Sequence, residues 1–240
     1  MVAAEGTPLI LNRLLLEVCS PCQYTCDLCA HQGMRDLDAH YQLEVDGVDA
    51  LICRLVALNC KVENMQIHGA GEPLLWKHFN PAIKKFRQSG MVKNFTIVTN
   101  GLAIERIEED VWSEIHVLIS KYPGAKISQV VLDKHPGRYE ILDRTKFLKV
   151  EHYPHADTYT CVCQGPCLYR GKIYPRCGPP LFDAAPRAGL NPLVFGIDLE
   201  KWNPNILGDA PPCRWCWANV KLDSYAPNTN HVFRKSLGNP

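Results

Sequence analysis

No apolar run in the 240-residue chain comes near the roughly 18 residues that a membrane-spanning helix needs. Its opening, MVAAEGTPLI, lacks the basic flank and long apolar stretch of an export signal, so a cytoplasmic protein is expected. An excess of one charge is missing too: 26 Lys and Arg against 25 Asp and Glu leave a formal charge of +1, with the basic residues spread along the chain. That distribution provides no electrostatic footprint for nucleic acid or an anionic membrane. A small-molecule or peptide substrate is expected instead, with no nucleic-acid and no membrane partner.

What stands out against these absences is cysteine, with twelve in the chain. Without an export signal, a reducing compartment favours metal-binding or catalytic thiols over disulfides. Cys19, Cys22, Cys26 and Cys29 cluster early, Cys161, Cys163, Cys167 and Cys177 cluster late, and Cys213 and Cys216 form a final CxxC pair. Cys53 and Cys60 stand alone and are expected to be buried as small apolar residues.

Hydrophobic residues at 46% and charged residues at 21% describe a globular chain, long enough for one large domain or a main domain with an appendage. From residue 13 to about 153, short apolar runs alternate with amphipathic stretches. RLLLEV (13 to 18), NMQIH (64 to 68), NFTIVTNG (94 to 101), EIHVLISKYPG (114 to 124) and TKFLKVEHY (145 to 153) read as strands. Between them, EVDGVDALICRLVALN (44 to 59) carries Val48, Leu51, Ile52, Leu55 and Leu58 on one helical face. FNPAIKKFRQSG (79 to 90) has Asn80 as a candidate cap, Pro81 in the first turn and Gly90 at its end. IEEDVWS reads as a helix, and AKISQVVLDK as a helix rather than the strand its pattern also allows. Repeated strand-helix units imply a parallel sheet with right-handed crossovers, and there are too few for a closed eightfold barrel.

The expected fold class is therefore α/β: a partial, open TIM-like barrel of about five to six βα units, followed by a small Cys-rich C-terminal domain. The boundary falls at 153, where the composition turns to Pro, Gly and Cys, giving domains 1–153 and 154–240. CLYRGKIYPRC (167 to 177) reads as a hairpin turning near Gly171. In such sheets the chemistry gathers at the carboxyl ends of the strands. The early cysteines, HGAGEPL, TNG and SKYPG all fall there.

Cys22, Cys26 and Cys29 form a CxxxCxxC arrangement on the loop after the first strand. Close-set thiolates suit zinc or an iron-sulfur cluster, and structural zinc prefers four ligands. Three cysteines suit a cubane with one iron left to a non-protein ligand. Together with GAGEP after the second strand and TNG after the third, the motif resembles the radical S-adenosylmethionine (radical SAM) superfamily over roughly residues 13 to 125. The resemblance implies a 4Fe-4S cluster on Cys22, Cys26 and Cys29 whose open iron is chelated by S-adenosylmethionine. Reduction by a flavodoxin- or ferredoxin-type electron donor would then give a 5'-deoxyadenosyl radical that abstracts hydrogen from substrate. It further implies cofactor contacts from Gly69, Ala70, Gly71, Glu72 and Pro73, and from Asn100 and Ser120. Leu28 stands where the family usually has an aromatic residue, and its backbone would meet the adenine. GAGEP replaces the usual GGEP. Cys19 is expected as a buried residue outside the ligand set, and His31 as a loop residue near the cofactor.

The late cysteines resemble the twitch domain of some radical SAM enzymes, which holds one auxiliary 4Fe-4S cluster. Cys177, Cys213 and Cys216 fit three of its ligand positions, and Cys163 is taken for the fourth, with Cys161 and Cys167 as alternatives. A four-thiolate zinc site is the competing reading of this segment. Trp202, Trp215 and Trp217 are expected to shield the cluster. The overall plan, with GEPLL, TNG and PGAK segments, resembles 2-deoxy-scyllo-inosamine dehydrogenase. The expected function is an oxidoreductase acting on a small polar metabolite such as a sugar, cyclitol or nucleoside, with the auxiliary cluster accepting an electron. His135, Arg138 and Tyr139 are the candidate catalytic residues for removing the hydroxyl proton. A peptide-modifying enzyme or epimerase with a cysteine hydrogen donor, and a zinc-stapled binding protein, are the alternatives.

Overall fold

The computed structural model describes residues 7–25, 31–122, 124–143, 166–174, 193, 196–203 and 234–235. Five strands carry the first half of the chain: β1 (Leu9–Glu17), β3 (Cys60–His68), β4 (Val92–Thr99), β5 (Ile115–Lys121) and β6 (Tyr139–Asp143). They run parallel in the spatial order β6-β5-β4-β3-β1. Parallel neighbours need a crossover, and α2 (Val45–Ala57), α3 (Phe79–Ser89), α4 (Glu109–Trp112) and α5 (Gln129–Lys134) lie in those connections. The short β2 (Tyr24–Thr25) and α1 (Gln32–Leu37) come between β1 and α2.

The other edge of β1 takes a hairpin from late in the chain. β7 (Cys167–Tyr169) lies parallel to β1, and β8 (Lys172–Tyr174) and β9 (Ile197–Asp198) continue antiparallel, making one eight-stranded mixed sheet. The hairpin turns at Arg170 and Gly171, both with positive φ (51° and 71°), the pairing a two-residue hairpin turn requires. The sheet ends at β6 and β9 without closing, an α/β partial barrel. β10 (Arg234–Lys235) pairs with β2 in a separate two-stranded ribbon.

Register gives the sheet two unlike faces. Leu14 pairs with Met65 and Leu16 with Ile67, and these join Phe95, Ile97, Val117 and Ile119 in a core completed by Val48, Leu51 and Leu55 of α2 and Ile83 and Phe86 of α3. The alternate positions are mixed: Leu15, Val98 and Leu118 stand among polar pairs such as Arg13 with Asn64, Glu17 with His68, and Gln66 with Thr96. Side chains alternate along a strand, so this second face is a half-buried surface of mixed polarity.

Several expectations are corrected. The fifth parallel strand is Tyr139–Asp143, while 145–153 lies outside the described residues. This edge strand is only five residues long, follows directly on a polar turn and leaves Ile141 exposed, so it offers little apolar signal. Helix α3 begins two residues earlier than a cap at Asn80 would place it, with His78 at the cap. Asn80 instead bridges elements: its Nδ2 donates to the Arg106 carbonyl at 2.9 Å and its Oδ1 accepts from Glu108 N at 3.1 Å. Cys60 is buried in β3 as expected, but Cys53 is exposed on α2. Trp202 belongs to the main core, 1% exposed, with its carbonyl accepting from the Arg54 guanidinium of α2. Trp215 and Trp217 lie outside the described residues. Among the described residues no helix is long and apolar enough to cross a membrane.

Candidate active site

The carboxyl ends of β1, β3, β4 and β5 open on a cleft of about 550 Å³, counting its mouth, lined by Cys22, His31, His68, Gly69, Ala70, Gly71, Glu72, Asn100, Ser120 and neighbouring residues. Four loops singled out by their residue types thus meet at one place. Aromatic contact between Tyr24 and Tyr122, with ring centroids 5.4 Å apart, joins the first loop to the end of β5. The Arg35 guanidinium of α1 donates to the Tyr24 carbonyl at 3.0 Å.

Gly71 explains how the first two loops stay together. Its N–H donates to the Cys19 carbonyl at 2.7 Å, and Glu72 N donates to the Pro21 carbonyl at 2.7 Å. A Cβ on Gly71 would lie 2.0 Å from the Pro21 carbonyl oxygen and 2.1 Å from that of Ser20. Both obstacles are backbone atoms, so the position admits only glycine. The small residues of GAGEP therefore serve loop against loop: Gly71 faces the cysteine loop, and Ala70 stands at the cleft wall.

Glu72 does the corresponding work between the second and third loops. Its buried carboxylate accepts from Leu74 N (3.1 Å), Thr99 Oγ1 (2.5 Å) and Asn100 N (2.7 Å). Burial pushes its pKa up to about 7 against the opposing pull of these donors. Pro73 opens the short 3-10 turn Pro73–Leu75 and is buried. Asn100 turns its amide back to the first loop, with Nδ2 3.0 Å from Gln23 Oε1 and 3.9 Å from Cys22 Sγ. Tyr24 N lies 3.4 Å from the same sulfur. Two N–H groups directed at one partly exposed sulfur suit a thiolate, and such bonds tune sulfur-ligated iron.

Cys19 is unlike Cys22. It is fully buried, its thiol donates to the Glu72 carbonyl at 3.1 Å, and burial pushes its pKa well above the usual thiol value. A thiol held neutral is a poor metal ligand, in keeping with its exclusion from the set. Cys26, Leu28 and Cys29 lie outside the described residues, as do Cys161, Cys163, Cys177, Cys213 and Cys216. Cys167 is buried in β7 beside Met34, Ala70, Tyr169 and Tyr174.

The structure does not bring the three candidate catalytic residues to the cleft. His135 caps the end of α5, 8% exposed and stacked on Trp112 of α4 at 4.2 Å, and the Arg138 carbonyl accepts from Val117 N at the start of β6. Tyr139 is the first residue of that strand. The amino end of a parallel strand lies opposite the end where the loops converge, which separates all three from Cys22.

His31 lies at the cleft as expected, and Glu17 and His68, for which no site role is expected from the sequence, join it there. Glu17 and His68 pair across β1 and β3, and His31, just before α1, brings Nε2 to 3.3 Å from Glu17 Oε1. Burial acts upward on Glu17 but is outweighed by the imidazoles of His31 and His68, leaving its carboxyl below the usual range. Burial depresses His68 to about 4. The available signal was a lone Glu in an apolar strand and a His directly before the GAGEP loop.

No protein-family model matches the chain, and no curated protein matches its sequence. Solved structures do. BtrN in complex with AdoMet and 2-DOIA superposes with a TM-score of 0.56 at 19% identity, over 75% of this chain and 77% of that one. The fold is that of BtrN. The open α/β barrel expected from the strand-helix alternation is thus the fold found. BtrN in an open conformation gives a TM-score of 0.43 at 20% identity, over 57% of this chain and 58% of that one. anSMEcpe with bound AdoMet gives 0.40 at 17% identity, over 56% and 43%.

Proposed function

We propose that the protein is a radical SAM oxidoreductase acting on a small polar metabolite, of the sugar, cyclitol or nucleoside kind. The observation that carries this reading is Cys22, with two N–H groups on its sulfur, at the mouth of a cleft that the GAGEP loop, Asn100 and Ser120 complete. Its support is the fold shared with BtrN, a protein seen with AdoMet and 2-DOIA. Cys22, Cys26 and Cys29 would hold the cluster, while Ala70, Asn100 and Ser120 would meet the methionyl and ribose groups of the cofactor. Bound there, the cluster and S-adenosylmethionine would supply radical hydrogen-abstraction chemistry, and an auxiliary cluster would supply an electron acceptor.

The residues of this chain set the rest. Gly71 and Glu72 hold the three loops in register, and both line the cleft in which the cofactor would lie. Arg35, His68 and Tyr122, which line the same cleft, provide hydrogen-bonding groups suited to a hydroxylated substrate. Cys163, Cys177, Cys213 and Cys216 are proposed for the auxiliary cluster, and a flavodoxin- or ferredoxin-type protein for the electron donor. Anaerobic reconstitution tests this: about eight irons per chain are expected for two cubanes, with 5'-deoxyadenosine formed on reduction. Cys22→Ala should lose about half the iron and all 5'-deoxyadenosine. A colourless protein that takes zinc in its cysteines and no iron would overturn the reading.

A further inference from the structure

We infer that Glu17, His31 and His68 form a binding site for a divalent transition-metal ion of the zinc type, separate from the cysteine ligands. The three converge from independent places in the fold: Glu17 from the end of β1, His68 from the end of β3 in direct register, and His31 from the residue preceding α1. One donor atom from each lies within 4.8 Å of the other two, and Glu17 Oε1 and His31 Nε2 are 3.3 Å apart. Ligands at about 2.0–2.2 Å from a tetrahedral zinc stand about 3.3 Å from one another. One pair already has that separation, and a side-chain rotation would bring in the third.

Burial supplies the second argument. Glu17 is fully buried with its carboxylate facing the His31 imidazole at 3.3 Å, and His68 Nε2 has no hydrogen-bond partner among the described residues. A carboxylate buried this deeply is costly to keep charged, and a cation seated between it and the two imidazoles would offset that cost. Two imidazoles and one carboxylate are a donor set for zinc or ferrous iron rather than for calcium or magnesium, which take oxygen ligands. His31 and His68 line the cleft, whereas Glu17 lies behind them. A fourth coordination position would face the cleft, where water or an oxygen of a small ligand could occupy it, the arrangement of an open rather than a structural site.

The inference stands apart from the radical SAM reading, because its readout is metal position rather than turnover. Crystals of the full chain equilibrated with Zn²⁺ should show an anomalous peak among Glu17, His31 and His68 that vanishes below the zinc absorption edge. After equilibrium dialysis, His68→Asn and Glu17→Gln should each bind one zinc fewer than the parent, with unchanged far-UV circular dichroism. A map with zinc only at cysteine sulfurs, or equal zinc counts in folded variants and parent, would overturn the inference. If both variants fail to fold, the map of the unmodified chain decides alone.

Discussion

Glu72 places a carboxyl group where water does not reach, between two loops that must stay together. Its folded-state pKa is raised from 4.5 to about 7, so the folded protein keeps a proton that the unfolded chain releases between those values. This contribution to stability is complete below pH 4.5 and is lost as the pH rises through about 7, on the order of 3 kcal/mol in all. Urea unfolding at pH 5 and pH 8 should show that slope in the parent and a flatter one in Glu72→Gln, while equal slopes would contradict it. Gly71 is constrained by space instead. In Gly71→Ala the new methyl would meet two backbone oxygens that cannot move without breaking the Cys19 and Pro21 hydrogen bonds. A loss of about 2 kcal/mol or more is expected, together with lower iron uptake, and a melting temperature equal to the parent's would refute it. Neither role is written in the residue names. GAGEP announces a tight loop, but whether its glycines face a cofactor or a neighbouring backbone depends on where the cysteine loop runs.

At the scale of elements, the parallel strands and their crossover helices were legible because each has a strong period, as in the α2 face of Val48, Leu51 and Leu55. Edges and caps were less so. β6 is five residues long, lies at the sheet edge and follows directly on the polar turn around Arg138, so it is too short to show a period. Asn80 has the chemistry of a cap, yet the chain entering α3 leaves that place to His78 and sends the Asn80 amide to the segment before α4. Its two bonds tie α3 to the Arg106–Glu108 segment. Asn80→Ala should cost about 1 kcal/mol in chemical denaturation, and Asn80→Asp should recover part of it by accepting from Glu108 N. Full stability in the alanine variant would return Asn80 to the status of an ordinary helical residue. His135, Arg138 and Tyr139 show the same limit. Their chemistry is right for proton transfer, but a parallel strand has two ends, and the local sequence does not say which end a loop serves.

For the whole molecule, the decisive contact is long in sequence. β1 has β3 on one side and β7 on the other, so the late hairpin covers an edge that would otherwise present unpaired backbone groups. The hairpin also holds the segment following the cysteine loop: Tyr169 Oη donates to the Met34 carbonyl, and its ring stacks edge-on against Tyr41. Residues 1–143 alone should therefore associate or precipitate, as seen by size-exclusion chromatography, whereas adding back the chain through 203 should restore a discrete species. A monomeric, folded 1–143 fragment would show the hairpin dispensable.

The sequence by itself determined the alternation of strand and helix, the thiols that could share a cluster, and the carboxyl-end loops expected to carry chemistry, because these follow from local periods and short spacings. Only the tertiary structure decided that Gly71 faces backbone, that Glu72 is a bracket, that Trp202 belongs to the main core, and that Glu17, His31 and His68 meet. Each depends on strand register and on contacts between residues tens of positions apart, distances over which local sequence has no periodicity to read.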